Sequence, residues 1–112
     1  MRHRAALLFL LVAAQACATS AKSPDPLAAA QARGHAFAGE VCALCHAVEA
    51  MGDSPDQRAP PFRTLSGDYV PLTLQRKITD IAESGHYAMP AVKVDTDQVN
   101  DLAAYINSLK RP

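Results

Sequence analysis

The sequence predicts a small all-α domain, and three observations carry that expectation. Two stretches place apolar residues at helical spacing: Leu74, Ile78 and Ile81, then Val99, Leu102, Ile106 and Leu109. Helix-start signals stand in front of two segments, Asp25-Pro26 and Asp95 with Gln98 three residues on. No run alternates apolar and polar residues as a half-buried strand would, and there are no internal repeats.

The chain has 112 residues, and its opening is not expected to belong to the fold. Arg2, His3 and Arg4 form a basic stretch, an apolar run follows from Ala5 to Ala14, and small residues surround Ala16 and Ala18. This is the layout of a secretory signal peptide over residues 1–18, with an apolar run too short to span a bilayer. Cys17 has two readings. Cleavage before it would make it the acylated residue of a lipoprotein, tethering the domain to a membrane. Ordinary cleavage near Ala16 or Ala18 would discard it, so no structural disulfide is expected. Either way the mature chain is roughly 95 residues, one small domain with a marginal core.

Eleven basic and eleven acidic residues balance in the full chain, and loss of Arg2 and Arg4 leaves a slight acidic excess. No basic patch with interleaved aromatics appears, so nucleic acid is not an expected partner. Residues 19–26 read as a linker containing Ser20, Ser23, Pro24 and Pro26. From Asp25-Pro26 an alanine-rich helix is expected over about Leu27 to Val41, interrupted by Gly34 and Gly39. Glycine costs about 1 kcal/mol relative to alanine in a helix interior, so both are expected where another backbone or a bound group comes close. Residues 47–68 read as a long irregular loop punctuated by Gly52, Pro55, Pro60, Pro61 and Gly67. A helix is expected after Pro71 up to a stop at Gly85, then a loop from Tyr87 to Val94, and a last helix to about Leu109.

The chemistry lies in Cys42-Ala43-Leu44-Cys45-His46. Two thiols separated by two residues can form thioethers with the two vinyl groups on one porphyrin edge, and the next histidine can ligate the iron. The rival uses fit less well. A dithiol switch would accompany a βαβ pattern, a zinc site needs two further close ligands, and a disulfide over so short a loop constrains little. The expected cofactor is one haem c attached through Cys42 and Cys45, with His46 as the proximal iron ligand. The other N–H of His46 should donate to a carbonyl in the Pro60-Pro61 region.

Four residues are candidates for the opposite face of the iron: Met51, His35, His86 and Met89. Met51 is close in sequence to His46, and His35 precedes the attachment site. His86 and Met89 share the appropriate loop. Met89 stands before a proline and after the small Ala88, and its thioether favours ferrous iron, so it is the expected second metal ligand. If neither His86 nor Met89 bound, the open iron would suit a gas-binding or sensing protein.

With these residues in place the chain resembles the class I, mitochondrial-like mono-haem cytochromes c, as an exported bacterial member, over nearly all of Leu27 to Lys110. The resemblance implies the small cytochrome c fold: three main helices and long loops wrapped around a covalently attached haem, in a domain spanning 27–112. It implies that Gly34, eight residues before Cys42, packs on Tyr105 within Leu102-Ala103-Ala104-Tyr105-Ile106 of the last helix. It also implies that the Pro60 carbonyl accepts from His46 and that Tyr69 bonds a haem propionate. There are departures. Ala59 replaces the usual glycine before the loop proline, and Phe37 is one residue from the usual first-helix aromatic. Lys22, Lys77, Lys93 and Lys110 are the only lysines, too few for strongly steered docking.

The expected function is therefore one-electron transport in the periplasm or another extracytoplasmic space, by a protein that is not an enzyme by itself and has no catalytic residues. Its partners would be redox proteins, either respiratory complexes or periplasmic dehydrogenases; it is expected to be a monomer and to meet the membrane only if Cys17 is lipidated. A cytochrome subunit of a periplasmic dehydrogenase complex and the open-iron gas binder are the alternatives.

Overall fold

Asp25 begins the fold by accepting a hydrogen bond from the Leu27 N–H at 3.0 Å, with Pro26 in the first helical turn. In the computed structural model the described residues are 23, 25–86 and 89–110. The leader over 1–18 with Cys17, the linker up to residue 22 together with Pro24, and Tyr87 and Ala88 lie outside the described residues.

Helix α1 runs Pro26–Phe37 and passes into a π-helical turn, Ala38–Cys42. The turn is closed by the Ala43 N–H donating to Ala38 C=O at 3.0 Å. Such wider turns inside helices are frequent at functional sites. Here the turn ends on buried Cys42. The expected single helix to Val41 is thus two elements.

The 47–68 segment is not wholly irregular. Helix α2, Phe62–Asp68, occupies its end and buries Phe62 and Ser66. Pro61 precedes it without a side-chain cap, and the Phe62 N–H is taken by Ala47 C=O at 2.9 Å. Tertiary packing, not local propensity, forms this short helix. Helix α3, Pro71–Ser84, buries Leu74, keeps Ile78 and Ile81 half-buried, and ends at Gly85 with φ 67°. Helix α4, Thr96–Ser108, opens with both bonds of a capping box: Gln98 N–H to Asp95 Oδ1 at 2.8 Å, and Asp95 N–H to Gln98 Oε1 at 3.0 Å. Val99, Leu102 and Ile106 are buried, with Leu109 packed beside them.

Among the described residues the architecture is all-α, as the resemblance implied. Helices α1 and α4 cross at Gly34, where an added Cβ would lie 2.0 Å from Asp101 O and 2.8 Å from the Tyr105 Cβ. The missing side chain permits the approach. Arg33 clamps the same crossing through a forked pair to Asp101, Nε–Oδ2 2.6 Å and Nη2–Oδ1 2.7 Å. The buried Tyr105 hydroxyl donates to Val48 C=O at 2.7 Å, tying α4 to the segment after the attachment motif. Gly39, by contrast, faces open space, with nothing within 4 Å of a Cβ built there. The expectation that another backbone comes close at that second glycine is corrected. No described helix is long and apolar enough to cross a membrane.

Candidate functional site

The π-helical turn delivers the Cys42–His46 segment as a tight turn. The N–H groups of Cys45 and His46 both donate to Cys42 C=O, at 3.1 and 2.9 Å. Cys42 is buried and Cys45 exposed, and neither is in a disulfide. Before any attachment, burial pushes the Cys42 thiol up to about 11. One thiol therefore borders the interior and the other the surface, the arrangement needed to hold one edge of a flat ring near the boundary.

His46 is buried, and its Nδ1 donates to Pro60 C=O at 2.8 Å. That bond assigns the lone pair to Nε2, the nitrogen a metal would use. Pro60 precedes Pro61, a placement that favours extended backbone and so restricts the direction of its carbonyl. Phe62 packs against the imidazole with ring centroids 5.3 Å apart. Two prolines and a buried phenyl ring hold one histidine rotamer.

His46 opens onto a cavity of about 330 Å³. Its walls are apolar, with Leu74, Ile78 and Ile81 from α3 and Leu102 and Ile106 from α4. Cys42, His86 and Met89 line the same space, as does Tyr69. Of the four candidates for the second ligand, the structure brings His86 and Met89 to the cavity and leaves His35 and Met51 elsewhere. His35 pairs with Glu49 at 2.7 Å and packs on Tyr105, while Met51 is 81% exposed. The cavity is large enough for a cofactor-sized group, and its donors are thiol, imidazole and thioether on an apolar background. This donor set fits an iron porphyrin bound through two sulfurs. Among the described residues no three His, Cys, Asp or Glu side chains gather as a zinc site would require.

Two cavity residues escaped sequence reasoning, Arg58 and Lys77, which among the described residues are the only Arg, Lys, Asp or Glu side chains that line it. Their cations complement the carboxylates of a porphyrin edge. An isolated Arg or Lys in a loop or on a helix carries no spacing signal that could have marked either one. Ala59, where the resemblance implied glycine, is buried. Phe37 remains half-buried and lines the cavity.

Arg58 also organises its own loop. It donates to both carboxylate oxygens of Asp56, Nε–Oδ1 at 3.1 Å and Nη2–Oδ2 at 2.8 Å, and its backbone N–H bonds Oδ1 at 2.9 Å. These bonds hold the Asp56 carboxyl down to about 2. The depressed value means that whatever this latch contributes is present above the ordinary carboxylate range and is lost as pH falls toward 2. Arg58→Gln is expected to return the Asp56 titration toward the ordinary range. A pH series of carboxyl-detected NMR spectra checks this; an unmoved midpoint would show that Arg58 is not the cause.

Neither a curated protein nor a solved structure matches the chain. The family model described as "Cytochrome C oxidase, cbb3-type, subunit III" matches residues 29–106. That span contains every residue lining the cavity, from Phe37 to Ile106. Domains of this type bind covalently attached haem c and serve haem-based electron transfer. The helical fold, the thiol pair with its histidine and the matched span lead to one conclusion: the chain belongs to this cytochrome c family.

Proposed function

We propose that the protein is an extracytoplasmic one-electron carrier whose single haem c is bound through Cys42 and Cys45 and ligated by His46 and Met89. The observation that carries this reading is the apolar cavity shared by Met89 and a buried His46 whose Nδ1 is committed to Pro60. The haem supplies the one-electron couple. The residues of the chain set its terms. Met89 offers a soft, neutral sulfur that favours the ferrous state, and the carbonyl of Pro60 orients His46. The apolar walls exclude water, which disfavours the more highly charged ferric form. Export follows from the leader at residues 1–18, and Cys17 would add a membrane tether if acylated. Redox proteins of respiratory complexes or periplasmic dehydrogenases are the partners, met by a monomer.

Three measurements test this. Mass spectrometry of the mature protein should report one haem mass that survives denaturation and organic extraction, together with the cleavage point and any acyl chains. Pigment extracted completely into solvent would rule out the thioethers. Carbon monoxide added to the reduced protein should leave its spectrum almost unchanged, whereas an immediate shift would mean an open iron. Met89→Ala should lower the midpoint potential by more than about 60 mV, the equivalent of a tenfold change for one electron. Direct voltammetry of both proteins checks it, and an unchanged potential would move the ligand assignment away from Met89.

A further inference from the structure

The distal loop presents two candidate ligands to one cavity, and its geometry relates them. His86 and Met89 form an isolated antiparallel bridge, with Met89 N–H donating to His86 C=O at 2.7 Å and His86 N–H to Met89 C=O at 3.3 Å. Directly paired residues of an antiparallel bridge send their side chains to the same face. That face is the cavity, because both residues line it. Both also line an adjoining void of about 60 Å³ beside Cys45 and Ala59, which gives one side chain room to withdraw while the other advances.

The second observation is a spacing. The rings of His46 and His86 have centroids 6.3 Å apart at an interplanar angle of 72°. Two imidazoles sharing one metal at about 2.0–2.1 Å per bond have centroids on the order of 6 Å apart. His86 therefore already stands at the separation from His46 that a shared iron requires, without any rearrangement of the proximal side.

We propose that His86 is a second distal ligand, exchanging with Met89 at the iron when the haem is oxidised. The inference rests on the His46/Met89 reading above. Thioether sulfur is the softer ligand and favours ferrous iron, and imidazole nitrogen favours ferric. Oxidation passes one electron to the redox partner. The iron–Sδ bond of Met89 then breaks and an iron–Nε2 bond of His86 forms. Thioether and imidazole both bind as neutral groups, so with the imidazole neutral before and after, the exchange moves neither an electron nor a proton. The consequence is a carrier whose ferric form is stabilised after each delivery, so that oxidation and reduction occur at different potentials.

The test uses intact holoprotein, wild type, His86→Leu and Met89→Ala. Ferrous wild type should show the ring-current-shifted methionine methyl signal by NMR. Ferric wild type should lack the far-red sulfur-to-iron band and give the low-temperature EPR spectrum of two imidazoles. Voltammetry of wild type should separate into two couples as the scan rate rises. His86→Leu should restore the far-red band and collapse the response to one couple. A far-red band in ferric wild type with a single couple at all scan rates would overturn the exchange and leave Met89 ligation standing. Two imidazoles in both oxidation states, with Met89→Ala matching wild type, would overturn the exchange and Met89 ligation together.

Discussion

Replacing Gly34 with alanine is expected to destabilise the holoprotein by about 3 kcal/mol, the upper part of the usual range for overpacking. One methyl group has this effect because of what it meets. The new Cβ would lie 2.0 Å from the Asp101 carbonyl oxygen and 2.5 Å from its carbon, which are backbone atoms of α4 and cannot rotate away. The α1–α4 crossing must open instead. Opening it strains the Arg33–Asp101 fork and shifts Tyr105, whose hydroxyl holds Val48 two residues beyond His46. The loss should appear as a melting temperature lower by about 12–24 °C for a domain of this size. Gly39→Ala supplies the control. It adds the same methyl group five residues on, where nothing lies within 4 Å, so its effect should stay within about 1 kcal/mol and favour stability. Equal melting temperatures for Gly34→Ala and wild type would show that the crossing is looser than its geometry.

The contrast between those glycines shows where sequence reasoning succeeds and where it stops. Gly34 was legible because the resemblance to the class I cytochromes c links its spacing from Cys42 to the Leu102–Ile106 pattern. Gly39 carried only the general rule that glycine in a helix needs a reason, and the rule does not say which reason. Capping follows the same division. Asp95 and Gln98 form their box because the interaction is wholly local, and Asp25 caps α1 for the same cause. Helix α2 has no such local signal. Its seven residues begin after two prolines and include Gly67, and it forms because Phe62 and Ser66 have an interior to enter. The π-helical turn is likewise invisible in Ala38-Gly39-Glu40-Val41-Cys42, since it is set by where Cys42 must arrive. The candidate site divides along the same line. Cys42, Cys45 and His46 are close in the chain, and motif chemistry orders them, while Pro60 followed from the loop that must supply an acceptor for His46 and from the resemblance. Arg58, Lys77 and Ile81 meet at the cavity only after α3 has packed against α4.

A larger loss is expected when the thiols are removed. Cys42→Ser with Cys45→Ser should yield a chain that neither retains pigment nor melts cooperatively. The size of the cavity decides this. An unfilled space of 330 Å³ corresponds to as much as about 8 kcal/mol at about 24 cal/mol per Å³, and native domains have about 5–15 kcal/mol in total. Two aromatic residues of its walls, Phe37 and Tyr69, are already packed against the core. Among the buried hydrophobics, Phe62 and Tyr105 are the only aromatics, and both are already engaged, with His46 and Val48 respectively. The chain can escape the cavity cost only by collapsing, which would draw α3 toward α4 and break the register that places Met89 near His46. Far-UV circular dichroism during heating distinguishes the outcomes: the double variant should lose helical signal gradually from low temperature, without a transition. A sharp transition near that of the wild type would mean that the helices hold their own interior, and the cavity would then be a consequence of the fold and not the reason it needs a covalent filling.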